Sequence, residues 1–375
     1  MADTKISDSV IYIGADDHDI DLFESQYVVP NGVSYNSYVI IDEKIAVMDT
    51  ADPRVTDVWF DNLEKALGGR KPDYLVVQHM EPDHAGNIKK LAEKYPEMKI
   101  VGNAKTFPMM KQFFTIDGLD DRSVVVKEGD TLSLGSHTLH WPEVMVTYEQ
   151  SEKLLFSADG FGKFGALDVE EDWACEARRY YFNIVGKYGA QVQALLKKAA
   201  ALDIKMILPL HGPILKEDLG YYLGLYNTWS SYQPESKGVF VAYASIHGNT
   251  AKAAEKLGEM LKEKGAEKVV ISDLSRSDMA ENIEDAFRYD RIILMASSYD
   301  GGVFPVMEDF LMHLKSKNYQ NRKIGLVENG SWAPTAARVM KGYVENFKNV
   351  TIAEPVVTIR STLNEASEKA LSELA

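Results

Sequence analysis

His79-Met80-Glu81-Pro82-Asp83-His84 places four side chains able to bind metal within six residues, directly after the run Asp73-Tyr74-Leu75-Val76-Val77. That run reads as a buried strand, and a strand feeding a loop of imidazoles and carboxylates is a way to build a metal pocket at a sheet edge. The donor types narrow the metal. Imidazole mixed with hard carboxylate oxygen, without thiolate, suits iron or manganese better than a structural zinc. The competing reading is a polar loop whose His and Asp merely cap the following helix, expected over 87–94. Further candidate donors downstream, each in a loop beside an apolar run, weigh against it.

A second constellation lies in the other half of the chain. Ser245-Ile246-His247-Gly248-Asn249-Thr250 follows the apolar run Val239–Tyr243 and opens a helix expected over Ala251–Lys262. Small and hydroxylated residues there leave backbone N–H groups free to surround a phosphate, and the helix N-terminus adds partial positive charge. The loop lacks the Gly-Lys-Ser/Thr ending of a nucleotide triphosphatase and the G-x-G-x-x-G dinucleotide fingerprint, so a monophosphate fits best. Ser297-Ser298-Tyr299-Asp300-Gly301-Gly302 and Asn329-Gly330-Ser331-Trp332-Ala333 also follow strand-like runs. Ligands of open α/β sheets bind at those strand ends. Each loop joins glycines for close approach to an aromatic that can lie on a flat ring. Ordinary turn chemistry would explain one such loop, but three at one sheet edge describe a ligand with one phosphate and a large aromatic plane, which is FMN.

The elements that must position these groups fall into two halves, 1–232 and 238–375, joined by the polar stretch Ser230–Gly238. In the first, Tyr38–Ile41 and Lys44–Met48 flank a turn at Asp42-Glu43, and helical spacing follows over Val55–Leu67. Strand signals recur at Lys99–Val101, Ser123–Val126 and Lys205–Leu208, the last leading into His211. One long helix is expected from Ala177 past Leu196. In the second half strands at Val239–Tyr243, Val269–Ile271, Arg291–Met295, Ile324–Val327 and Val350–Ile352 alternate with helical stretches, and a helix closes the chain. Five β/α units in roughly 140 residues predict a doubly wound parallel sheet.

Composition agrees with a chain of this kind. The 375 residues are 45% hydrophobic and 26% charged, the values of a globular protein with a real core. A net charge of -15 without a Lys/Arg-rich block speaks against nucleic acid or an anionic membrane as partner. No apolar run is long enough for a membrane span, and the start of the chain lacks the apolar core of a signal peptide, so a cytoplasmic location is expected. Cys175 is the only cysteine. It excludes an intrachain disulfide and a rubredoxin-type or iron–sulfur centre within these residues, and no neighbour supplies a base that would make it a nucleophile.

A six-residue metal loop upstream and a flavodoxin-like half downstream together resemble the flavodiiron proteins, also called A-type flavoproteins, over essentially the whole chain. The H-x-E-x-D-H form differs from the H-x-H-x-D-H of hydrolytic zinc relatives in carrying Glu81 where they carry a second His. The resemblance implies a metallo-β-lactamase-like αββα sandwich followed by a flavodoxin-like five-stranded parallel sheet. It implies two iron ions: one on His79, Glu81 and His140 of His140-Trp141-Pro142-Glu143, the other on Asp83, His84 and His211, with Asp159 bridging. One departure stands out. Gly129-Asp130-Thr131-Leu132 reaches His140 over a shorter stretch than family members usually carry, which makes His137 an alternative candidate. His18 and His313 read as surface or packing residues.

The activity so implied is reduction of O2 to water, or of NO to N2O, at a non-haem di-iron centre fed through FMN. Electrons would come from a rubredoxin-like protein or a reduced flavin or deazaflavin cofactor. Flavin and irons would meet across a head-to-tail homodimer, or a dimer of dimers. Two other readings fit parts of the pattern: a zinc hydrolase fused to a flavodoxin domain, against which Glu81 argues, and an FMN electron carrier with a structural metal.

Overall fold

A computed structural model of the chain describes residues 4–143 and 146–375. Two compact units emerge, one running to Ala177 and taking in Ala194–Leu223, the other made of Arg178–Gln193 and Gly224–Ala375.

The first unit is built on two sheets. One orders Val10–Tyr12, Tyr38–Ile40, Ala46–Met48, Tyr74–Val76, Lys99–Gly102 and Ser123–Val125 side by side. The other orders Thr131–Ser133, Thr138–Glu143, Val146–Glu149, Leu154–Phe156 and Met206–Leu208. Side chains alternate across each strand, so one face of each sheet can meet the other in a sandwich core. Tyr38, Ile40, Met48, Val76 and Val101 from the first sheet pack there with Leu139, Trp141, Leu154, Phe156 and Leu208 from the second. Val39, Val47, Leu75 and Ile100 point the opposite way and are equally buried. An outer helical layer supplies Trp59 and Leu63 on Thr56–Leu67, and Ile88 and Leu91 on Ile88–Lys94. Burial on both faces explains why these strands read as continuous apolar runs instead of alternating ones.

In the second unit the main parallel strands run Val269–Asp273, Ser236–Ala244, Tyr289–Tyr299 and Lys323–Asn329, with a fifth position beyond Lys323–Asn329. In chain order this is 2-1-3-4-5, the flavodoxin-like winding. The expected fifth strand is split. Thr351–Ile352 pairs with the start of Lys323–Asn329 and Val357–Ile359 with its end. Pro355 lies between the two pieces and has no N–H for the ladder.

The single long helix expected from Ala177 is also not found. Trp173–Tyr180 gives way to a wider turn at Tyr181–Val185, then a tight turn at Gly186–Tyr188, before Gly189–Ala199. The Asn183 amide donates both to the Arg179 carbonyl and to the Ala280 carbonyl, tying the turn to another helix. Gly189 passes so close to Ser230 and Tyr232 that a Cβ would lie 2.4 Å from the Ser230 carbonyl oxygen. Apolar periodicity survives such a break, which is why the sequence reads as one helix. The polar stretch after Ser230 is likewise structured. Tyr232 is buried with its hydroxyl on the Gly186 carbonyl, and Glu235 takes two 2.7 Å bonds from the buried Arg178.

Leu257, on the helix Asn249–Glu263 that follows the phosphate loop, is fully buried among Val241, Ile293 and Val327. Leu257→Ala is predicted to destabilise the chain by about 2–5 kcal/mol through lost contacts and a residual cavity. Urea denaturation should show the lower midpoint, and an unchanged midpoint would contradict the packing described.

Candidate metal centre and phosphate-binding edge

Three separate loops deliver the donor groups, each leaving the carboxyl end of a buried strand. The strand Tyr74–Val76 leads to His79, Glu81, Asp83 and His84; Leu154–Phe156 leads to Asp159; Met206–Leu208 leads to His211. His79 Nε2 lies 3.2 Å from Glu81 Oε2 and 3.3 Å from Asp159 Oδ2. On the other side His211 Nε2 lies 3.3 Å from Asp83 Oδ2, 3.2 Å from His84 Nε2 and 3.9 Å from Asp159 Oδ1. Donor atoms of His79, Glu81 and Asp83, and separately of Asp83, His84 and His211, lie within 4.8 Å of one another. The two oxygens of Asp159 thus face the two halves of one cluster.

The imidazoles are held in one orientation by what their far nitrogens bond. His84 Nδ1 lies 3.2 Å from the Thr50 carbonyl and His211 Nδ1 2.8 Å from the Ser34 carbonyl. A carbonyl only accepts, so each Nδ1 carries the hydrogen and each Nε2 lone pair points inward. Two inward lone pairs 3.2 Å apart repel unless a proton or a cation sits between them. Asp83 Oδ1 and Asp159 Oδ1 are buried and without a hydrogen-bond partner. Unpaired buried carboxylate oxygens are expensive, and cations beside them remove the cost. The donor set of three imidazoles and three carboxylates, with orphaned oxygens facing inward, fits hard metal cations and specifically iron or manganese.

Proton occupancy splits across the cluster. Burial, reinforced by the neighbouring imidazoles, pushes His84 down to about 3 against the pull of Asp83, so it is neutral and ready to ligate. Burial also opposes charge on His79, but Asp159, Glu81 and Asp83 outweigh it and raise that imidazole to about 10. His211 is raised too, burial being overcome by Asp83 and Asp159.

The loops carry strain where the ligands sit. Asp49, Ala158 and Phe161 have φ of 52°, 50° and 66°, a region non-glycine residues enter only when the surroundings over-determine it. Asp49 is buried and accepts from the Gln78 and His79 backbone N–H groups at 2.8 and 3.3 Å and from the Gln78 amide at 3.0 Å, fixing the start of the six-residue loop. The buried Asn36 amide donates to the Pro209 and Gly212 carbonyls at 2.9 and 2.7 Å, clamping the loop that bears His211. Sequence reasoning missed Ser34, Asn36, Asp49 and Thr50. Ser34 sits inside the strand Val33–Tyr35, and Asn36, Asp49 and Thr50 lie just beyond strand ends, so their only signal was polarity beside apolar runs.

His140 is not brought into the cluster. It lies on Thr138–Glu143, opposite Thr131 and Tyr148, between Leu139 and Trp141, which both face the sandwich core. Alternation therefore turns His140 to the outer face, where its Nδ1 is buried without a partner. The short run from Gly129 closes as a tight hairpin, and the register shifts between His140 and Glu143. His137 bonds Asp42 through both its backbone N–H and Nδ1, at 2.8 and 2.9 Å, and so anchors that hairpin instead. His18 is exposed beside Asp168.

In the second unit the three expected loops converge. Ser245, Ile246, His247, Asn249, Thr250, Ser297, Ser298, Asn329, Gly330 and Ser331 line one cavity, together with Ser361, which sequence reasoning missed although it too follows a sheet strand. Among the described residues its lining contains no carboxylate, in a chain of net charge -15. Thr250 Oγ1 meets Ser297 Oγ at 3.0 Å, and Asn329 Nδ2 reaches Thr250 Oγ1 at 3.3 Å, locking the loops together. Gly330 is needed for that approach, since a Cβ there would lie 2.9 Å from Pro334 Cα. An adjoining cavity is lined by Ser298, Tyr299, Asp300, Gly301, Ser331, Trp332 and Ala333. Asp300-Gly301, both at positive φ, form the two-residue tip of a hairpin that pairs Tyr299 with Gly302. Trp332 is 88% exposed, an apolar ring free to cover a flat ligand. Hydroxyls, amides and a helix N-terminus at one end, with aromatics beside them, fit a flavin mononucleotide.

Because His79 and His211 carry raised pKa values in the metal-free cluster, metal uptake must displace protons. Calorimetry in buffers of different ionisation heat should therefore detect proton release on adding ferrous iron to the apoprotein. The apparent affinity should climb with pH towards about 10, the value to which His79 is raised. Uptake with no proton release would contradict this electrostatic picture.

Comparison with known proteins agrees with this geometry. Residues 33–212 match a family model described as ODP family beta lactamase, and residues 240–354 one described as Flavodoxin domain. A nitric oxide reductase of Moorella thermoacetica is 30% identical over 382 residues, spanning 95% of this chain and 92% of that one. Among solved structures, rubredoxin oxygen:oxidoreductase from Desulfovibrio gigas is 25% identical with a TM-score of 0.90, covering 99% of this chain and 96% of that one. The flavodiiron protein from Giardia intestinalis, 23% identical, shares the fold with a TM-score of 0.88 over 100% of this chain and 95% of its own. With a sandwich of the metallo-β-lactamase kind, a flavodoxin-like sheet and relatives matched over nearly their full length, the chain belongs to the flavodiiron protein family.

Proposed function

We propose that this chain is an oxidoreductase that reduces O2 to water, NO to N2O, or both, at a non-haem di-iron centre fed by FMN. The observation that carries the reading is the placement of Asp159, whose two oxygens face His79 on one side and His211 on the other. His79 and Glu81 would hold one iron, His84 and His211 the other, with Asp83 within reach of both halves and Asp159 bridging. His140 would join the first iron only if the strand that carries it turned. The chemistry such a centre supplies, when bound, is transfer of single electrons to a diatomic gas, replenished in pairs from the flavin.

The chain's own residues prepare that chemistry in three ways. The Thr50 and Ser34 carbonyls hold His84 and His211 with their Nε2 lone pairs inward. Phe23 and Tyr35 set their rings edge-on to His211. In the second unit the hydroxyls of Ser245, Thr250 and Ser331 would take the FMN phosphate and ribityl groups, with Tyr299 and Trp332 against the ring.

Electrons would reach the flavin from a rubredoxin-like protein or a reduced flavin or deazaflavin. The protein would work in the cytoplasm as a head-to-tail homodimer or a dimer of such dimers, each flavin serving the partner's irons. Among the described residues no helix is long and apolar enough to cross a membrane.

Metal and flavin quantification after purification without added metal, followed by anaerobic turnover with each gas, tests the reading against a zinc hydrolase. Iron, FMN and donor-driven gas consumption are expected, and zinc with hydrolytic activity would overturn it. Asp159→Ala should lose both irons, because without the bridge two cations repel each other in a poorly solvated site. Full iron in that variant would refute the bridging role. For the dimer, an iron-less Asp159→Ala chain is mixed with a flavin-less variant carrying bulky apolar residues at Asn249 and Thr250. Mixed pairs should recover up to half the native activity, and heterodimers that recover none would refute the shared site.

A further inference from the structure

The cavity against the metal cluster contains a polar group that the chemistry above leaves unused. The cavity measures about 280 Å3, and Phe23, Glu24, Tyr35, Asp52, Glu81 and Asp83 are among its lining residues. Since Glu81 and Asp83 belong to the cluster, a small molecule in this space lies beside the metal ligands.

Tyr35 is only 1% exposed. Its backbone pairs with Ala15 in an antiparallel ladder. Its ring stands edge-on to both His84 and His211, with centroids 6.2 and 5.9 Å away. The residues on either side of it are committed elsewhere, Ser34 to His211 and Asn36 to the Pro209 and Gly212 carbonyls. Nearby buried phenols are all bonded: Tyr38 donates to the Pro209 carbonyl at 2.8 Å and Tyr12 to Asn36 at 3.0 Å. The Tyr35 hydroxyl, alone among these three, makes no hydrogen bond to a described residue, and unlike Asp83 Oδ1 and Asp159 Oδ1 it is not sealed from the cavity that Tyr35 lines. A phenol is protonated at neutral pH, so this hydroxyl has a hydrogen to donate.

We infer that the Tyr35 hydroxyl is the hydrogen-bond donor to the small, electron-rich ligand that occupies this cavity, whether a diatomic gas or an anion of similar size. The geometry suits the role. The other polar side chains lining the cavity are carboxylates, which when ionised can only accept. Tyr35 supplies the one lining O–H, on a ring locked against two of the ligating imidazoles. Glu24 closes the mouth from a hairpin tip in which it and Ser25 both have positive φ, 50° and 57°. Both lie in the three-residue loop between the paired Phe23 and Tyr27, where positive φ costs backbone strain in residues other than glycine. The inference rests on the reading that the cluster holds iron.

Azide, a small anion that binds ferric centres, is the probe. On the oxidised iron- and FMN-loaded protein, optical titration should give a Kd about three- to tenfold weaker for Tyr35→Phe, the effect of one lost hydrogen bond, with iron and FMN contents unchanged. As a second measurement, 3-fluorotyrosine placed at position 35 of the native chain should show a 19F shift on adding azide. That shift should be absent in iron-less Asp159→Ala. Equal azide affinity in the fully loaded Phe variant, a 19F signal indifferent to azide, or loss of iron on removing the hydroxyl alone would each overturn the proposal. A native chain that takes up neither iron nor azide would instead overturn the metal reading beneath it.

Discussion

Three carboxylates and three imidazoles meet in a pocket largely withdrawn from water, and the first unit is arranged to hold that charge in place. Asp83 Oδ1 and Asp159 Oδ1 are buried with nothing to bond, while two imidazole nitrogens face each other at 3.2 Å. A fold without bound cations would minimise such contacts. Here they are enforced by strained backbone at Asp49, Ala158 and Phe161 and by carbonyls that fix each ring. Strain of this kind persists only where surrounding bonds over-determine it. Asn36 is one of those bonds: fully buried, it ties the loop of His211 to a strand from the far end of the sequence.

The asymmetry between the two halves of the cluster has a physical basis. His84 and His211 are buried and held by carbonyls, whereas Glu81 keeps a side chain 60% exposed and His79 is charged by its carboxylate neighbours when no metal is present. Both halves must shed a proton to take a cation, from His211 and from His79, but only the half holding Glu81 must also order an exposed carboxylate. The hairpin containing His140 adds to this difference, since strand alternation spends Leu139 and Trp141 on the core and leaves the imidazole outside. A more ordered half and a more adaptable half in one cluster would hold a cation on one side while leaving the other side open to a small ligand.

The second unit solves a different electrostatic problem with the same placement rule. Its 2-1-3-4-5 winding brings the loops after three parallel strands to one edge, beside the N-terminus of Asn249–Glu263. Within a strongly acidic chain, that cavity is lined by hydroxyls and amides instead of carboxylates. Among the described residues its lining holds no Lys or Arg, so an anion there would be held by dipoles and neutral donors.

Local chemistry in the sequence determined the two fold classes, named the candidate metal loop and the candidate phosphate loop, and favoured iron over zinc. All of these depend on residue types within a few positions of one another, where spacing and period speak directly. The break of the helix after Tyr180 and the split fifth strand were decided by tertiary contacts, through Asn183 reaching Ala280 and Val357–Ile359 pairing with Lys323–Asn329. Similarly, only the folded chain could show that Thr50 and Ser34 orient histidines, the latter 177 residues away, or that Ser361 lines the candidate phosphate cavity. The direction in which His140 points was settled by strand alternation and a hairpin register. Its sequence context, beside Trp141 and Pro142, carries no information about which face of the sheet the imidazole meets. Chain-local rules name the donors; long-range packing decides which of them share a site.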